Sequence, residues 1–193
     1  MKKLWIFLCA ISILSCNQPA SKNTHVLIVT ALGDIEMELF PDKAPKTVAA
    51  FLSYIDSGFY KNSSFYRVVM LEGLSAEGNV GLVQGGIWHT NDQQHPAIPG
   101  IDHESTKLTG LSHTSGTVSL ARTTAGSAST EFFICIGDQS QFDYGNNNQG
   151  DTMGFAAFGN VSKGMTVIRK IQQQRRSDQS FDKKILIYEI KRI

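Results

Sequence analysis

Short runs in which apolar and polar residues alternate make up most of the chain, and this alternation is typical of half-buried β-strands. Residues 25–30 and 35–40 are two such runs, and the turn sequence Ala31-Leu32-Gly33-Asp34 between them predicts a β-hairpin. Further strands are predicted at residues 64–70, 80–84, 116–121, 132–136, 155–161 and 184–193. The pattern therefore indicates a mainly β protein that opens with antiparallel strands.

Two segments instead repeat their apolar residues at helical spacing. The first starts near Pro45, a residue favoured in a first helical turn, and ends before Gly58. Its apolar residues fall on one face: Val48, Phe51, Leu52 and Ile55. The second covers residues 165–174. Many short strands with two helices, and no alternation of strand and helix, predict a closed or sandwiched antiparallel sheet.

The first residues have the layout of a secretory signal, with Lys2 and Lys3 before the apolar run 4–14. This run is too short for a membrane-spanning helix, which needs about 20 apolar residues. Residues 13–16, Ile-Leu-Ser-Cys, resemble the lipobox of bacterial lipoproteins, in which the cysteine is acylated after cleavage. We therefore expect a signal peptide at 1–15, a lipidated Cys16 with a tether at 16–23, and a folded domain at 24–193. The alternative is an ordinary signal peptide cut nearby.

Charge, cysteine content and histidine spacing bear on three points: nucleic-acid binding, the role of the remaining thiol, and metal binding. The formal net charge of +1 becomes −1 when Lys2 and Lys3 leave with the signal, so nucleic acid is not an expected partner. Cys135 would be the one thiol left, and its apolar surroundings predict a buried side chain. Four of the five histidines lie between residues 87 and 115, but their spacing matches no zinc pattern, so no metal or other cofactor is expected.

Several sequence blocks then resemble one family, in that family's order. Residues 33–52 are similar to its opening hairpin and first helix, 65–69 (Phe-Tyr-Arg-Val-Val) to its F-H-R-V-I, and 83–86 (Val-Gln-Gly-Gly) to its I-Q-G-G. Residues 116–122 resemble its G-x-x-S-M-A, 129–134 its S-Q-F-F-I, and 158–165 its F-G-x-V and G-M. The family is the cyclophilin-type peptidyl-prolyl cis/trans isomerases, and the resemblance covers residues 26–193.

This resemblance implies a closed eight-stranded antiparallel β-barrel capped by two α-helices, with a groove for the substrate proline on its outside. It also implies a catalytic set. Arg67 matches the cationic donor aimed at the rotating imide, Gln84 the glutamine that orients the substrate and the arginine, and Phe133 the floor of the proline pocket. Taken without the motif, Arg67 reads as an ordinary strand arginine paired with a carboxylate.

By the same resemblance, further residues are expected to bind substrate: Phe65, Leu82, Ala121, Arg122, Glu131, Phe142 and Phe155. Several positions depart from the family pattern. Glu131 stands for a glutamine, Arg122 for an asparagine, Gln141 for an aromatic residue and Phe155 for a histidine or tyrosine, while Gly81 falls where a phenylalanine is usual. The link at 70–83 is also longer than expected, and we interpret it as a solvent-facing excursion near the groove.

Rotation about an X-Pro bond needs no nucleophile, metal or cofactor, because the catalyst only has to favour a twisted amide over the planar forms. We therefore expect a monomeric isomerase that assists the folding of exported or envelope proteins, acts on proline-containing polypeptides, and is lipid-anchored in the cell envelope, facing the periplasm or cell surface. The main alternative is a proline-peptide-binding or chaperone module with weak or no catalysis. A structural lipoprotein is a weaker alternative, because it would leave the conjunction of Arg67, Gln84 and Phe133 unexplained. A hydrolase is weaker still, since the sequence has no nucleophile-elbow or zincin motif.

Overall fold

The computed structural model describes residues 23–71, 78–88, 98–146 and 151–193. Its strands are β1 (Thr24–Thr30), β2 (Gly33–Leu39), β3 (Ser63–Leu71), β4 (Val80–Gly86), β5 (Thr117–Leu120), β6 (Phe132–Ile136), β7 (Ala156–Lys163), β8 (Arg176–Ser177) and β9 (Ser180–Arg192). Its helices are α1 (Pro45–Asp56), α2 (Thr106–Thr109) and α3 (Met165–Gln172). A single turn of 3-10 helix covers Ser140–Phe142.

The strands form one closed antiparallel barrel. Their order is β1-β2-β7-β5-β6-β4-β3-β9, and β9 pairs back with β1, so that eight strands complete the circle. The two-residue strand β8 adds only a hairpin to β9 and is not part of the circle. The predicted eight-stranded barrel is therefore confirmed, and closure satisfies the strand edges that an open sheet would expose.

The two long helices match the segments with helical spacing. Helix α1 contacts β7 and β9, and α3 contacts β2 and β4. The described residues contain a third helix, α2, which the sequence pattern did not predict because one turn is too short to show a period. Helix α2 ends where Gly110 adopts a left-handed φ of 67°, a conformation in which glycine carries no steric penalty.

The barrel interior is a packed core and not a binding cavity. Large rings fill it almost without exposure: Phe51, Tyr60, Phe65, Phe132 and Phe158. Neighbouring rings such as Phe51 and Phe132 meet edge to face with centroids 5.7 Å apart, a favourable geometry for aromatic pairs. A substrate must therefore bind outside the barrel.

Strand β6 supplies both this core and a second apolar cluster outside the barrel. Phe132 and Ile134 face inwards, whereas Phe133 and Cys135 pack in the second cluster with neighbours from other segments, as strand alternation requires. Cys135 is fully buried, and burial raises the pKa of its thiol. This agrees with the expected role as a small buried side chain.

Candidate active site

A groove of about 870 Å³ lies over the second apolar cluster on the outside of the barrel. Strand β3 supplies Arg67, β4 supplies Gln84, and β6 supplies Phe133. These three residues lie far apart in the sequence but on neighbouring strands, because β4 pairs with both β3 and β6. Other residues expected from the sequence also line the groove: Leu82, Ala121, Arg122, Glu131, Phe142 and Phe155.

Phe65 is the exception among the expected substrate-binding residues. Its side chain is fully buried and packs edge to face against Phe132, with ring centroids 5.8 Å apart. It therefore belongs to the barrel core, and the expectation that it contacts substrate is corrected. Phe65 points inwards because it lies on the core face of β3, whereas the groove opens on the opposite face.

A bulge in β3 brings two consecutive side chains into the groove. The pairing register of β3 shifts between Phe65 and Arg67 against both β4 and β9. Regular alternation would send Tyr66 and Arg67 to opposite faces, yet both line the groove while Phe65 and Val68 are buried in the core. Bulges often aim side chains in this way beside functional sites.

Arg67 is held by neutral partners. Its Nη1 donates a hydrogen bond to Gln84 Oε1 at 2.9 Å, and its Nε and Nη2 donate to Gln179 Oε1 at 2.9 and 2.5 Å. In residues 23–71, 78–88, 98–146 and 151–193 no carboxylate pairs with this guanidinium. The interpretation of Arg67 as an ordinary ion-paired arginine is therefore not supported, and its positive charge is not neutralised within the described chain.

A chain of hydrogen bonds connects this arginine to the opposite side of the groove. Gln84 Nε2 donates to Tyr66 Oη at 2.7 Å, and Tyr66 Oη donates to Glu131 Oε2 at 2.7 Å. The other carboxylate oxygen, Oε1, accepts the backbone N–H groups of Ile87 and Trp88, each at 2.9 Å. Burial raises the pKa of Glu131. Oε1 thus anchors the segment that follows β4, and Oε2 anchors Tyr66 of β3, while Glu131 also lines the groove as expected.

Two glycines beside the groove leave no room for a side chain. At Gly81, with φ 147°, an added Cβ would collide with the carbonyl oxygen of Val69 on the paired strand, so no phenylalanine fits there. At Gly86, with φ 149°, a Cβ would overlap the carboxylate of Glu131. The glutamate and the glycine beside it are therefore sterically coupled.

The apolar part of the groove is built from three rings that meet at their edges. Phe133 lies 5.6 Å from Phe142 and 5.3 Å from Phe155 between ring centroids, and Phe142 lies 5.3 Å from Phe155. Phe133 is 2% exposed, and Leu82 packs in the same cluster. Such a surface suits a ring of the size and polarity of proline.

Arg122 stabilises one wall of the groove. Its side chain is 1% exposed, pairs with both carboxylate oxygens of Asp151, and donates to the carbonyl of Gly154. Its guanidinium also lies 5.0 Å from the ring centroid of Phe155, a cation–π distance. Arg122 lines the groove, and the expectation that it binds substrate stays a prediction. Its side-chain bonds to Asp151 and Gly154 are made within the protein.

A buried histidine supports the floor from below. The His113 ring stacks on Phe133 with centroids 5.9 Å apart, and its Nδ1 and Nε2 lie 2.6 Å from Asp143 Oδ1 and 3.0 Å from Ser119 Oγ. Burial lowers the pKa of His113 despite the nearby carboxylate. A carboxylate only accepts hydrogen bonds, so the neutral ring donates from Nδ1 and accepts at Nε2. Ser119 is fully buried.

Sequence reasoning missed Tyr66, Trp88 and Gln179, which also line the groove. The bulge between Phe65 and Arg67 that turns Tyr66 into the groove leaves no signal in the strand pattern. Gln179 lies 112 residues from Arg67 in the sequence, and no local signal marks it. In the long link at 70–83, residues 70–71 belong to β3 and residues 80–83 to β4, and Val83 lies in the core. Residues 72–77 of the link lie outside the described residues. Cys16 also lies outside them.

Comparison with known proteins agrees with this fold and groove. Residues 25–192 match the family model of the cyclophilin type peptidyl-prolyl cis-trans isomerase/CLD. The chain is 38% identical to peptidyl-prolyl cis-trans isomerase A of Dickeya dadantii over 155 residues, which cover 80% of this chain and 74% of the relative. The chain belongs to the cyclophilin-type family.

Solved structures share the fold. A cyclophilin type peptidyl-prolyl cis-trans isomerase of Cryptosporidium parvum superimposes with a TM-score of 0.68 at 21% identity, covering 89% of this chain and 98% of that one. A second structure of that protein, in the presence of the dipeptide Ala-Pro, gives a TM-score of 0.65 at 23% identity over 86% and 96% of the two chains. This protein is accordingly an enzyme, a peptidyl-prolyl cis-trans isomerase.

Proposed function

We propose that this isomerase acts on X-Pro bonds of exported or envelope proteins and that Arg67 is its catalytic residue, with Gln84 and Phe133 positioning the substrate. The observation that carries the catalytic part is the guanidinium of Arg67, which lines an apolar groove while bonded only to neutral amides among the described residues. A cation that is oriented but not neutralised is the group that this reaction needs.

The barrier to rotation is about 18–20 kcal/mol because the amide resonance must be broken. In the twisted state the imide nitrogen regains a lone pair, and a fixed donor near it stabilises that state more than either planar form. Phe133 and its neighbouring rings take up the proline ring and exclude water, and Gln84 holds Arg67 at 2.9 Å. The rings therefore bind the substrate, the glutamine orients the arginine, and the arginine stabilises the developing charge.

The proposal that Ala-Pro peptides bind in this groove rests on the shared fold. The Cryptosporidium relative was crystallised in the presence of Ala-Pro, and the present groove combines three aromatic rings with the guanidinium of Arg67. Ala-Pro peptides are therefore the natural first ligands to test. We propose no cofactor.

The location in the cell envelope is proposed from the N-terminal sequence. Residues 1–15 would be removed as a signal peptide and Cys16 lipidated, leaving residues 16–23 as a tether to the domain 24–193. No helix in the described ranges is long and apolar enough to cross a membrane. We propose that the anchored domain works as a monomer.

The catalytic role is tested by measuring the isomerisation rate of an Ala-Pro peptide, with a protease-coupled assay or NMR exchange as the readout. Arg67→Ala should reduce the rate constant kcat by about 10²–10³, as for loss of other preorganised donors, with little change in thermal stability because its partners regain water. Arg67→Lys should be nearly as poor, since a point charge lacks the planar fork. The matched control is Arg175→Ala, whose side chain is 95% exposed.

Robust activity of Arg67→Ala would refute the catalytic role. A well-folded wild type without activity on several peptides would instead favour a proline-binding module. The envelope proposal is tested separately by intact-mass analysis of the mature protein from its native membrane. A diacyl or triacyl mass on Cys16 is expected, and an unmodified Cys16 would contradict the anchor.

A further inference from the structure

Gln179 lies in the two-residue turn of the hairpin formed by β8 and β9. Ser177 pairs with Ser180, and the intervening Asp178 adopts a left-handed φ of 55°. The backbone of Gln179 is fastened to β3, because its carbonyl accepts the N–H of Val68 at 2.8 Å. The turn therefore presents the Gln179 side chain at a defined place beside the strand that carries Arg67.

The side chain of Gln179 accepts hydrogen bonds from the edge of the Arg67 guanidinium formed by Nε and Nη2. Its Oε1 accepts from both Nε and Nη2, at 2.9 and 2.5 Å, while Nη1 donates to Gln84 Oε1 at 2.9 Å. A guanidinium carries five N–H groups, so these contacts leave one on each terminal nitrogen for a substrate. Two acceptors on different edges also fix the plane of the guanidinium, which one acceptor alone would leave free to rotate.

We propose that Gln179 is a positioning residue that sets the orientation of Arg67 for isomerisation, and this inference rests on the proposed catalytic role of Arg67. Gln179 acts through the arginine and needs no contact with the reacting atoms. Its neutral amide oxygen orients the cation without cancelling its charge. A carboxylate at the same place would hold the fork as well or better, but it would weaken the field at the imide.

A purely structural role does not account for this side chain. Gln179 is exposed, so its truncation opens no core cavity. The hairpin itself is held by backbone pairing between β8 and β9 and by the bond to Val68, which any residue could make. What the amide adds is the pair of bonds to Arg67.

The first experiment measures kcat and KM on an Ala-Pro peptide for wild type, Gln179→Leu, Arg67→Ala and the double variant. Gln179→Leu should lower kcat about tenfold, equivalent to about 1.4 kcal/mol, with KM and the thermal midpoint nearly unchanged, since the loss concerns the twisted state. In the Arg67→Ala background the same change should alter the rate less than twofold. The control is Gln173→Leu, an exposed glutamine in the neighbouring cavity that Gln179 also lines.

The second experiment reads the contact without activity. The Nε–H signal of Arg67, assigned by its loss in Arg67→Ala, should exchange slowly with water in wild type and at least tenfold faster in Gln179→Leu. Gln179→Glu should restore slow exchange but not the full kcat, because the geometry returns while the charge is partly neutralised. This separates orientation from charge.

Equal loss of kcat on Gln179→Leu in both backgrounds would overturn the inference, because Gln179 would then act independently of Arg67. Unchanged kcat and unchanged Nε–H exchange would overturn it as well. If Arg67→Ala is fully active, the catalytic proposal fails, whereas slow exchange that depends on Gln179 would still establish the contact. The experiments therefore distinguish failure of the catalytic proposal from failure of the contact between Gln179 and Arg67.

Discussion

Phe132 and Phe133 are adjacent in β6 and equally buried, but they serve different parts of the molecule. Among the described residues, Phe132 has three ring partners in the barrel core, Phe51, Tyr60 and Phe65, at centroid distances of 5.7, 5.9 and 5.8 Å. Within the same described part of the chain, Phe133 has three ring partners under the groove, His113, Phe142 and Phe155, at 5.9, 5.6 and 5.3 Å. The pair is therefore matched in burial and in number of partners.

We expect Phe132→Leu and Phe133→Leu to destabilise the protein by similar amounts. Loss of part of a buried ring and of its aromatic contacts costs about 2 kcal/mol, below the 3–5 kcal/mol typical of Phe→Ala. For a domain of this size that corresponds to a fall of roughly 4–8 °C in thermal midpoint. Leucine is chosen because truncation to alanine risks unfolding a marginally stable domain.

Only Phe133→Leu should impair catalysis. The variant loses apolar contacts between the pocket floor and the proline ring, and we expect its kcat/KM to fall by about 10–100-fold. Phe132→Leu should keep kcat/KM within about twofold, since its ring does not line the groove. Thermal melts and the Ala-Pro assay on the same preparations provide the comparison. An equal loss of kcat/KM in both variants would refute the assignment of the two rings to opposite faces of β6.

Three further predictions concern residues that line or support the groove. Arg122→Lys should cost about 2 kcal/mol in chemical unfolding, since an ammonium cannot replace the paired bonds to Asp151 and Gly154; an unchanged midpoint would contradict the wall role. Burial raises the pKa of Glu131 above its ordinary 4.5, so the folded form binds its proton more tightly and wild-type stability should fall as pH rises from 4.5 through the raised pKa. Glu131→Gln should remove this pH-dependent loss of stability. A stability difference between wild type and Glu131→Gln that does not vary with pH would contradict the prediction. Burial lowers the pKa of His113 below 6.5, so the unfolded form binds the proton more tightly and wild-type stability should decline as pH falls below 6.5. That decline should be absent in His113→Gln, and urea titrations from pH 4 to 8 measure both effects.

The strand pattern was sufficient to predict a closed or sandwiched antiparallel sheet, and the family resemblance implied the closed eight-stranded barrel. Strands β1 to β7 and β9 and helices α1 and α3 appear where the periodicity indicated them, within a few residues. The elements that were missed, α2 and β8, span four and two residues. Four residues make about one helical turn and two residues make one strand repeat, so neither element is long enough to show a periodic pattern.

The motif residues could be found from the sequence because each lies inside a local block. Arg67, Gln84 and Phe133 all line one groove, although their roles in catalysis are still predictions. Phe65 was misassigned for the opposite reason: it belongs to the same block as Arg67, and membership of a motif does not say which face of a strand a residue occupies. The bulge between Phe65 and Arg67 decides that.

The sequence alone determined the class of fold, the family and the set of groove residues carried by its motifs, since all of these depend on patterns within a few consecutive positions. Only the tertiary structure decided how the charges are used. Glu131 and Arg122 line the groove and also anchor its walls through bonds within the protein, and Gln179 is a partner of Arg67 across 112 residues. Hydrogen-bond partners are chosen by proximity in space, and barrel closure brings together side chains whose separation in sequence carries no signal of it.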